Sequence, residues 1–246
     1  MAENRPICLW SGPRNVSTAM MYSFAELPAI DVVDEPLYGH YLRVTGLEHP
    51  GRDDVLASME TDGNTVMRAL LRHQSTMKDR RLFLKQMAHH LLELDTNFLD
   101  AMDNILLIRD PRDMLPSLTV QIPEATLSDT GLEQQWRLYD DLGNRGQDPA
   151  VVDSGILLSD PGPVMRRLCE RVGVAYDPTM LHWKPGPRAE DGVWAPHWYH
   201  AVHQSSGFHA PRVKGEFPES LNDLLGQCKP WYDKLIAVAI QPDRAP

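Results

Sequence analysis

Apolar positions along the chain fall into two alternating rhythms. Short unbroken apolar runs at 7–10, 30–33, 82–84 and 105–108 are bounded by turn or polar residues. Such runs mark strands buried on both faces. A fifth run begins at Val151 and Val152 and is read as continuing toward Leu158. Between the runs, at 17–26, 53–73, 90–101 and 132–142, apolar residues recur three and four positions apart. That spacing predicts helices. Strands alternating with helices predict an α/β fold, with a central parallel sheet covered on both faces and joined by right-handed crossovers.

The last third changes character. Pro161, Gly162 and Pro163 open a further helix that runs to about Val172 and stops at Gly173. From 181 to 208 the chain is rich in Trp, His, Pro and Gly, which predicts long ordered loops. Helical spacing returns at 221–240, with an interruption expected at Pro230. There is neither an internal repeat nor a low-complexity linker, so the reading is one domain over 1–246, with 181–246 as a cap or lid.

Composition narrows the partners. Hydrophobic residues at 42% and charged ones at 24% are enough for a sizeable core. A net charge of −10 argues against an extended nucleic-acid face. An anionic ligand must then be gripped locally, by a few cations and backbone N–H groups. No apolar run reaches the length of a membrane span. The short stretch before the first run predicts no signal peptide. Cys8, Cys169 and Cys228 form neither a disulfide framework nor a metal pair, which fits a reducing cytoplasm. The pattern leaves oligomeric state, a homodimer included, open.

The chemistry gathers first in the loop after the first run. Ser11, Gly12, Pro13, Arg14, Asn15, Val16, Ser17 and Thr18 join a strand to a helix start. A helix N-terminus presents unpaired N–H groups and the positive end of its dipole, so an anion is stabilised there. Ser17 and Thr18 add hydroxyls, and Arg14 adds a planar cationic fork suited to phosphate or sulfate oxygens. An ordinary βα turn has the same outline, so the loop alone defines only an anion cradle. It lacks the G-x-x-x-x-G-K-[ST] pattern, which disfavours a standard ATPase or GTPase.

A second cation, Arg109, ends the fourth run. The carboxyl ends of strands are where open α/β sheets bind ligands. Asp110 and Pro111 follow, and Ser117 stands eight positions after Arg109 in what is predicted to be the next helix. Taken alone, Arg109 beside Asp110 reads as a surface ion pair.

Together the two segments resemble the sulfotransferase family, a three-layer P-loop-like fold that uses 3′-phosphoadenosine 5′-phosphosulfate (PAPS). Pro13, Arg14, Asn15, Val16, Ser17 and Thr18 are similar to its 5′-phosphosulfate loop, with Arg14 where cytosolic members usually carry Lys. Arg109, Pro111 and Ser117 resemble the segment that holds the 3′-phosphate. The resemblance implies PAPS as donor, 3′,5′-adenosine bisphosphate as product, a small-molecule acceptor and no metal. It covers most of 7–181 and thins beyond, where Lys214 and Gly215 weakly resemble the C-terminal phosphate-binding loop. Ser154 and Gly155 depart from the aromatic and acidic pair usual after the fifth strand.

Sulfuryl transfer calls for a base on the acceptor and cations over the leaving oxygens. Glu35, after the second run, matches a Glu used as base in several bacterial and carbohydrate sulfotransferases. Lys85 matches the Lys of the cytosolic Lys-x-His pattern, an electrophilic assistant; Met87 occupies the His position, leaving His89 as a displaced candidate. Trp183, Trp194, Trp198 and Tyr199 are expected over the acceptor pocket, with histidines at its rim. The spacing of His197, His200 and His203 matches no zinc pattern. Two alternatives stand: a P-loop kinase or nucleotide hydrolase, and a non-catalytic adenine-nucleotide-binding protein.

Overall fold

The computed structural model describes residues 4–210 and 215–242. Five strands form, β1 (Ile7–Ser11), β2 (Ile30–Asp34), β3 (Arg81–Met87), β4 (Asp103–Ile108) and β5 (Ala150–Asp153). They make one parallel sheet in the order β2-β3-β1-β4-β5, flanked by helices. The expected α/β fold is therefore present. All five residues of β1 are buried, as an apolar run within a covered sheet requires. In β2 and β3, Ile30 lies opposite Arg81 and Asp34 opposite Lys85. In β4 and β5, Ile105 lies opposite Ala150 and Ile108 opposite Asp153.

Several predicted elements are corrected. The helix read at 53–73 is two, Arg52–Ser58 and Gly63–Thr76. The second starts afresh because Asp62 accepts from Thr65 N at 2.6 Å, an N-cap. No α-helix forms over 90–101; 3₁₀ turns at Ala88–His90 and Thr96–Ala101 take its place. β5 stops short of Leu158, since Asp153 accepts from Ile156 N at 3.0 Å and opens the helix Ser154–Ser159. Pro230 lies inside the helix Asn222–Ile236 without ending it. The helix Tyr38–Thr45 has no counterpart in the sequence reading.

The chain divides into two compact units. The first holds Ser17–Asn104 and Asp177–Phe208 with the start of β1. Phe24 of the helix Ser17–Ala25 stacks on Phe83 of β3 at 4.2 Å. A second buried cluster joins Tyr38, Tyr41, Leu42, Val55, Trp194 and Tyr199. Each fully buried side chain of this kind contributes about 1.5–3 kcal/mol. The 181–208 segment is mostly loop, as read, with short turns at Ala195–Trp198 and His200–His203. It is tied down by Tyr22, whose hydroxyl donates to Asp191 at 2.6 Å, and by Arg188, which donates to Glu26 at 2.6 Å.

The second unit holds Ile105–Tyr176, the end of β1 and the C-terminal helix. Its helices Pro111–Leu118, Leu132–Asn144 and Asn222–Ile236 bury Met114, Leu115, Leu118, Leu132, Leu225 and Cys228 together.

Candidate active site

The strand order puts β1 beside β4, and the next strands, β2 after β1 and β5 after β4, lie at opposite edges of the sheet. Ligands of open α/β sheets bind at such a switch point, outside the carboxyl ends of the strands. In the second unit, Gln135 ties these two ends together. Its buried amide donates to Trp10 O at 3.1 Å and to Leu107 O at 2.8 Å. Gly12 passes so close to this staple that a Cβ there would meet Thr130 O at 3.0 Å and Gln135 Oε1 at 3.3 Å. Only glycine fits that passage without a shift.

The loop then draws its predicted partners around it. Arg14 has φ +52°, a left-handed backbone that a non-glycine residue adopts only where its surroundings impose it. Arg109 imposes it in part, donating from Nη1 to Arg14 O at 2.6 Å. Arg14 donates from Nε to Ser117 Oγ at 2.8 Å, and Asn15 donates to Leu107 O at 2.9 Å. Two predicted phosphate ligands, Arg109 and Ser117, are thus each hydrogen-bonded to a third, Arg14. Burial lowers the pKa of Arg109, Asp113 opposes the fall, and the charge of Arg14 adds to it. Arginine's ordinary value is high enough that the Arg109 guanidinium stays charged despite that fall. Two like charges held together define a place where an anion is stabilised.

In the first unit, the carboxyl ends of β2 and β3 carry a buried charged cluster. Lys85 donates to Asp34 Oδ1 at 3.0 Å, to Glu35 Oε1 at 2.5 Å and to the Tyr199 hydroxyl at 2.6 Å. An ammonium has three N–H donors, and three acceptors surround this one. Tyr199 donates to Asp34 at 2.7 Å and accepts from the Trp194 indole at 3.1 Å. Burial alone would lower the pKa of Lys85, but Asp34 and Glu35 outweigh it and hold the value well above the ordinary one. Burial raises the pKa of Glu35, the charge of Lys85 pulls it back, and Asp34 pushes it up again. The net direction is upward, which suits a carboxylate that must take a proton near neutral pH. Glu35 also has φ +37° while preceding a proline, a second strained backbone at a candidate residue.

His89 lies edge-on to Tyr41 at 5.0 Å and to His90 at 4.8 Å. His90 is buried between Tyr38 and Tyr41, with ring centroids at 5.4 and 4.5 Å, and its Nδ1 has no partner. Burial holds it neutral, well below its ordinary pKa. Trp194 and Tyr199 pack with Tyr38 and Tyr41, and Trp198 lies against them. Trp183 instead faces Tyr22 and Phe208. Ser17 and Thr18 are buried at the start of their helix. Gly215 is exposed, and Lys214 lies outside the described residues. Sequence reasoning missed Asp34, Gln135 and the role of Tyr199. An acid beside Glu35 was a readable signal for the first; nothing local marks the other two.

The family described as Sulfotransferase domain matches residues 5–239. Branched-chain-amino-acid aminotransferase-like protein 1 of Arabidopsis thaliana is 40% identical over 237 residues, 96% of this chain and 42% of that protein. Its counterpart protein 2, also from Arabidopsis thaliana, is 38% identical over 228 residues, 92% of this chain and 40% of that protein. The chain therefore spans about two fifths of the length of the curated relatives it matches. Among solved structures, the sulfotransferase domain of the Synechococcus PCC 7002 olefin synthase has a TM-score of 0.56 at 18% identity, covering 92% of this chain and 96% of that one. The sulfotransferase domain from the curacin biosynthetic pathway has a TM-score of 0.53 at 16% identity, covering 97% and 99%. These structures share the fold, and the match along nearly the whole sequence goes further: the chain belongs to the sulfotransferase domain family.

Proposed function

We propose that this chain moves a sulfuryl group from PAPS to a hydroxyl or amine of a small-molecule acceptor. The observation that carries the reading is the convergence of Arg14, Arg109 and Ser117 on one loop at a sheet switch point. Two guanidinium forks, a hydroxyl and a helix N-terminus form a donor set suited to a nucleotide with phosphates on both sides of its ribose. In this reading Arg109 and Ser117 take the 3′-phosphate, while Arg14 and the loop from Gly12 to Thr18 take the phosphosulfate. Lys214 and Gly215 are assigned to the same phosphates from the sequence alone.

Glu35 is the proposed base. It removes the acceptor's proton as the acceptor oxygen or nitrogen bonds to sulfur and the bond from sulfur to the bridging phosphate oxygen breaks. The negative charge then rests on 3′,5′-adenosine bisphosphate, where Arg14 stabilises it. His89 is the rival base. Trp198, Tyr38 and Tyr41 offer an apolar wall for an acceptor, with the neutral His90 among them.

A thermal-shift panel tests the donor class. Millimolar 3′,5′-adenosine bisphosphate is expected to raise the melting temperature by several degrees, since a ligand at about a hundred times its Kd adds about 2.7 kcal/mol. ATP with magnesium is expected to do less. No shift with the bisphosphate, or a larger one with ATP, contradicts the proposal.

A further inference from the structure

The 181–208 segment delivers one hydroxyl into the charged cluster at the ends of β2 and β3. Tyr199 is nearly fully buried, and its oxygen is saturated: it donates to Asp34 and accepts from Lys85 and from Trp194. Gly192, from the same segment, donates its backbone N–H to Asp34 Oδ2 at 3.1 Å. Asp34 thus receives Lys85, Tyr199 and Gly192, whereas Lys85 is the donor that the cluster gives Glu35. The two neighbouring carboxylates are held very differently.

We infer that Tyr199 is a positioning residue for Glu35, acting through Lys85 and Asp34. Its hydroxyl occupies one Lys85 N–H and satisfies Asp34, so the ammonium is shared between both carboxylates and not drawn wholly to Asp34. Three donors hold Asp34 in place, and Glu35 is the carboxylate left to exchange a proton. Lys85, with three acceptors for its three N–H donors, orients the base in this arrangement and does not reach toward a sulfuryl oxygen. The inference rests on the proposal that Glu35 is the base.

The direction of change in two variants follows. In Tyr199→Phe the ring remains, Asp34 loses a donor, and Lys85 turns toward it and away from Glu35, so Glu35 binds its proton more tightly. In Asp34→Asn a neighbouring negative charge disappears and Lys85 serves Glu35 alone, so Glu35 releases its proton more readily. Among the described residues, Tyr22, Tyr38 and His90 also face the pair; burial raises the pKa of both tyrosines and lowers that of His90, so all three are neutral near pH 7.

Carbon-13 NMR of the Glu35 side-chain carboxyl reads this without any acceptor. The resonance is assigned by its loss in Glu35→Gln and titrated from about pH 4 to about pH 9. Tyr199→Phe is expected to raise the Glu35 midpoint by about half a unit or more, and Asp34→Asn to lower it. A smaller or downward shift in Tyr199→Phe overturns the inference, as does a shift of both variants in one direction. Should Tyr199→Phe lose its native amide spectrum, the sign in Asp34→Asn decides alone. Binding of 3′,5′-adenosine bisphosphate is measured on the same samples. Its absence in the wild type sinks the sulfotransferase reading and leaves the Tyr199 relation to the titration. Binding retained with an unmoved Glu35 sinks the inference alone.

Discussion

The guanidinium of Arg109, at the end of β4, donates to the backbone carbonyl of Arg14 in the loop that leaves β1, at 2.6 Å. A charge at one strand end therefore holds the left-handed turn of another, and Arg14 is aimed at Ser117 as a result. The strain of that turn is a local cost that a binding function explains.

Arg14→Gly separates cost from use. Glycine adopts φ +52° freely, so unfolding free energy is expected to stay level or rise by up to ~1 kcal/mol. Bisphosphate affinity should fall about tenfold or more with the lost charged contacts. Urea unfolding and calorimetry on one sample check both halves.

Glu35→Gln should leave bisphosphate affinity within about twofold and reduce sulfuryl transfer about 10²–10⁴-fold, the usual worth of a general base. Turnover is followed with radiolabelled donor across a panel of hydroxyl and amine acceptors. Retained turnover would move the role of base to His89.

Lys85→Met leaves Asp34 and Glu35 buried side by side with no cation. Breaking a buried pair from one side costs about 3–5 kcal/mol. The urea midpoint should fall accordingly, and lowering the pH should recover part of the loss as Glu35 takes up a proton.

His90 supplies a pH test with a definite sign. Burial holds its folded pKa well below the ordinary 6.5, so the unfolded chain binds the proton first as pH falls. Stability from this residue is complete above 6.5 and is lost as the pH drops from there toward the folded value. Relative to His90→Phe, the wild type should lose stability by up to about 1.4 kcal/mol per pH unit in that window. Parallel urea midpoints at several pH values measure the difference, which cancels groups common to both.

Much of this was legible in the sequence. The four main strands are apolar runs that a covered parallel sheet demands, so their existence was clear and only their ends moved. Arg14, Arg109 and Ser117 were readable because each sits at a strand or helix terminus, where local pattern fixes position. The 90–101 segment deceived because Leu91, Leu94 and Phe98 keep helical spacing. There Asp95 accepts from Asn97 N at 3.0 Å and starts a tighter turn instead. Tyr199 was read only as aromatic cover. Its partner Asp34 is 165 residues away, and no local pattern announces a hydrogen bond made by the return of a distant loop. Gln135 was hidden likewise, as one polar residue on the buried face of a helix.

The central claim is that Arg109 and Ser117 hold a phosphate on the 3′ side of the donor, and calorimetric titration of wild type and Arg109→Ala tests it most directly. Each protein is titrated with 3′,5′-adenosine bisphosphate and with adenosine 5′-monophosphate. A charged hydrogen bond of about 1.5–3 kcal/mol predicts a loss of about 10–100-fold for the bisphosphate in Arg109→Ala, with a much smaller loss for the monophosphate. Equal losses for the two nucleotides would contradict the assignment.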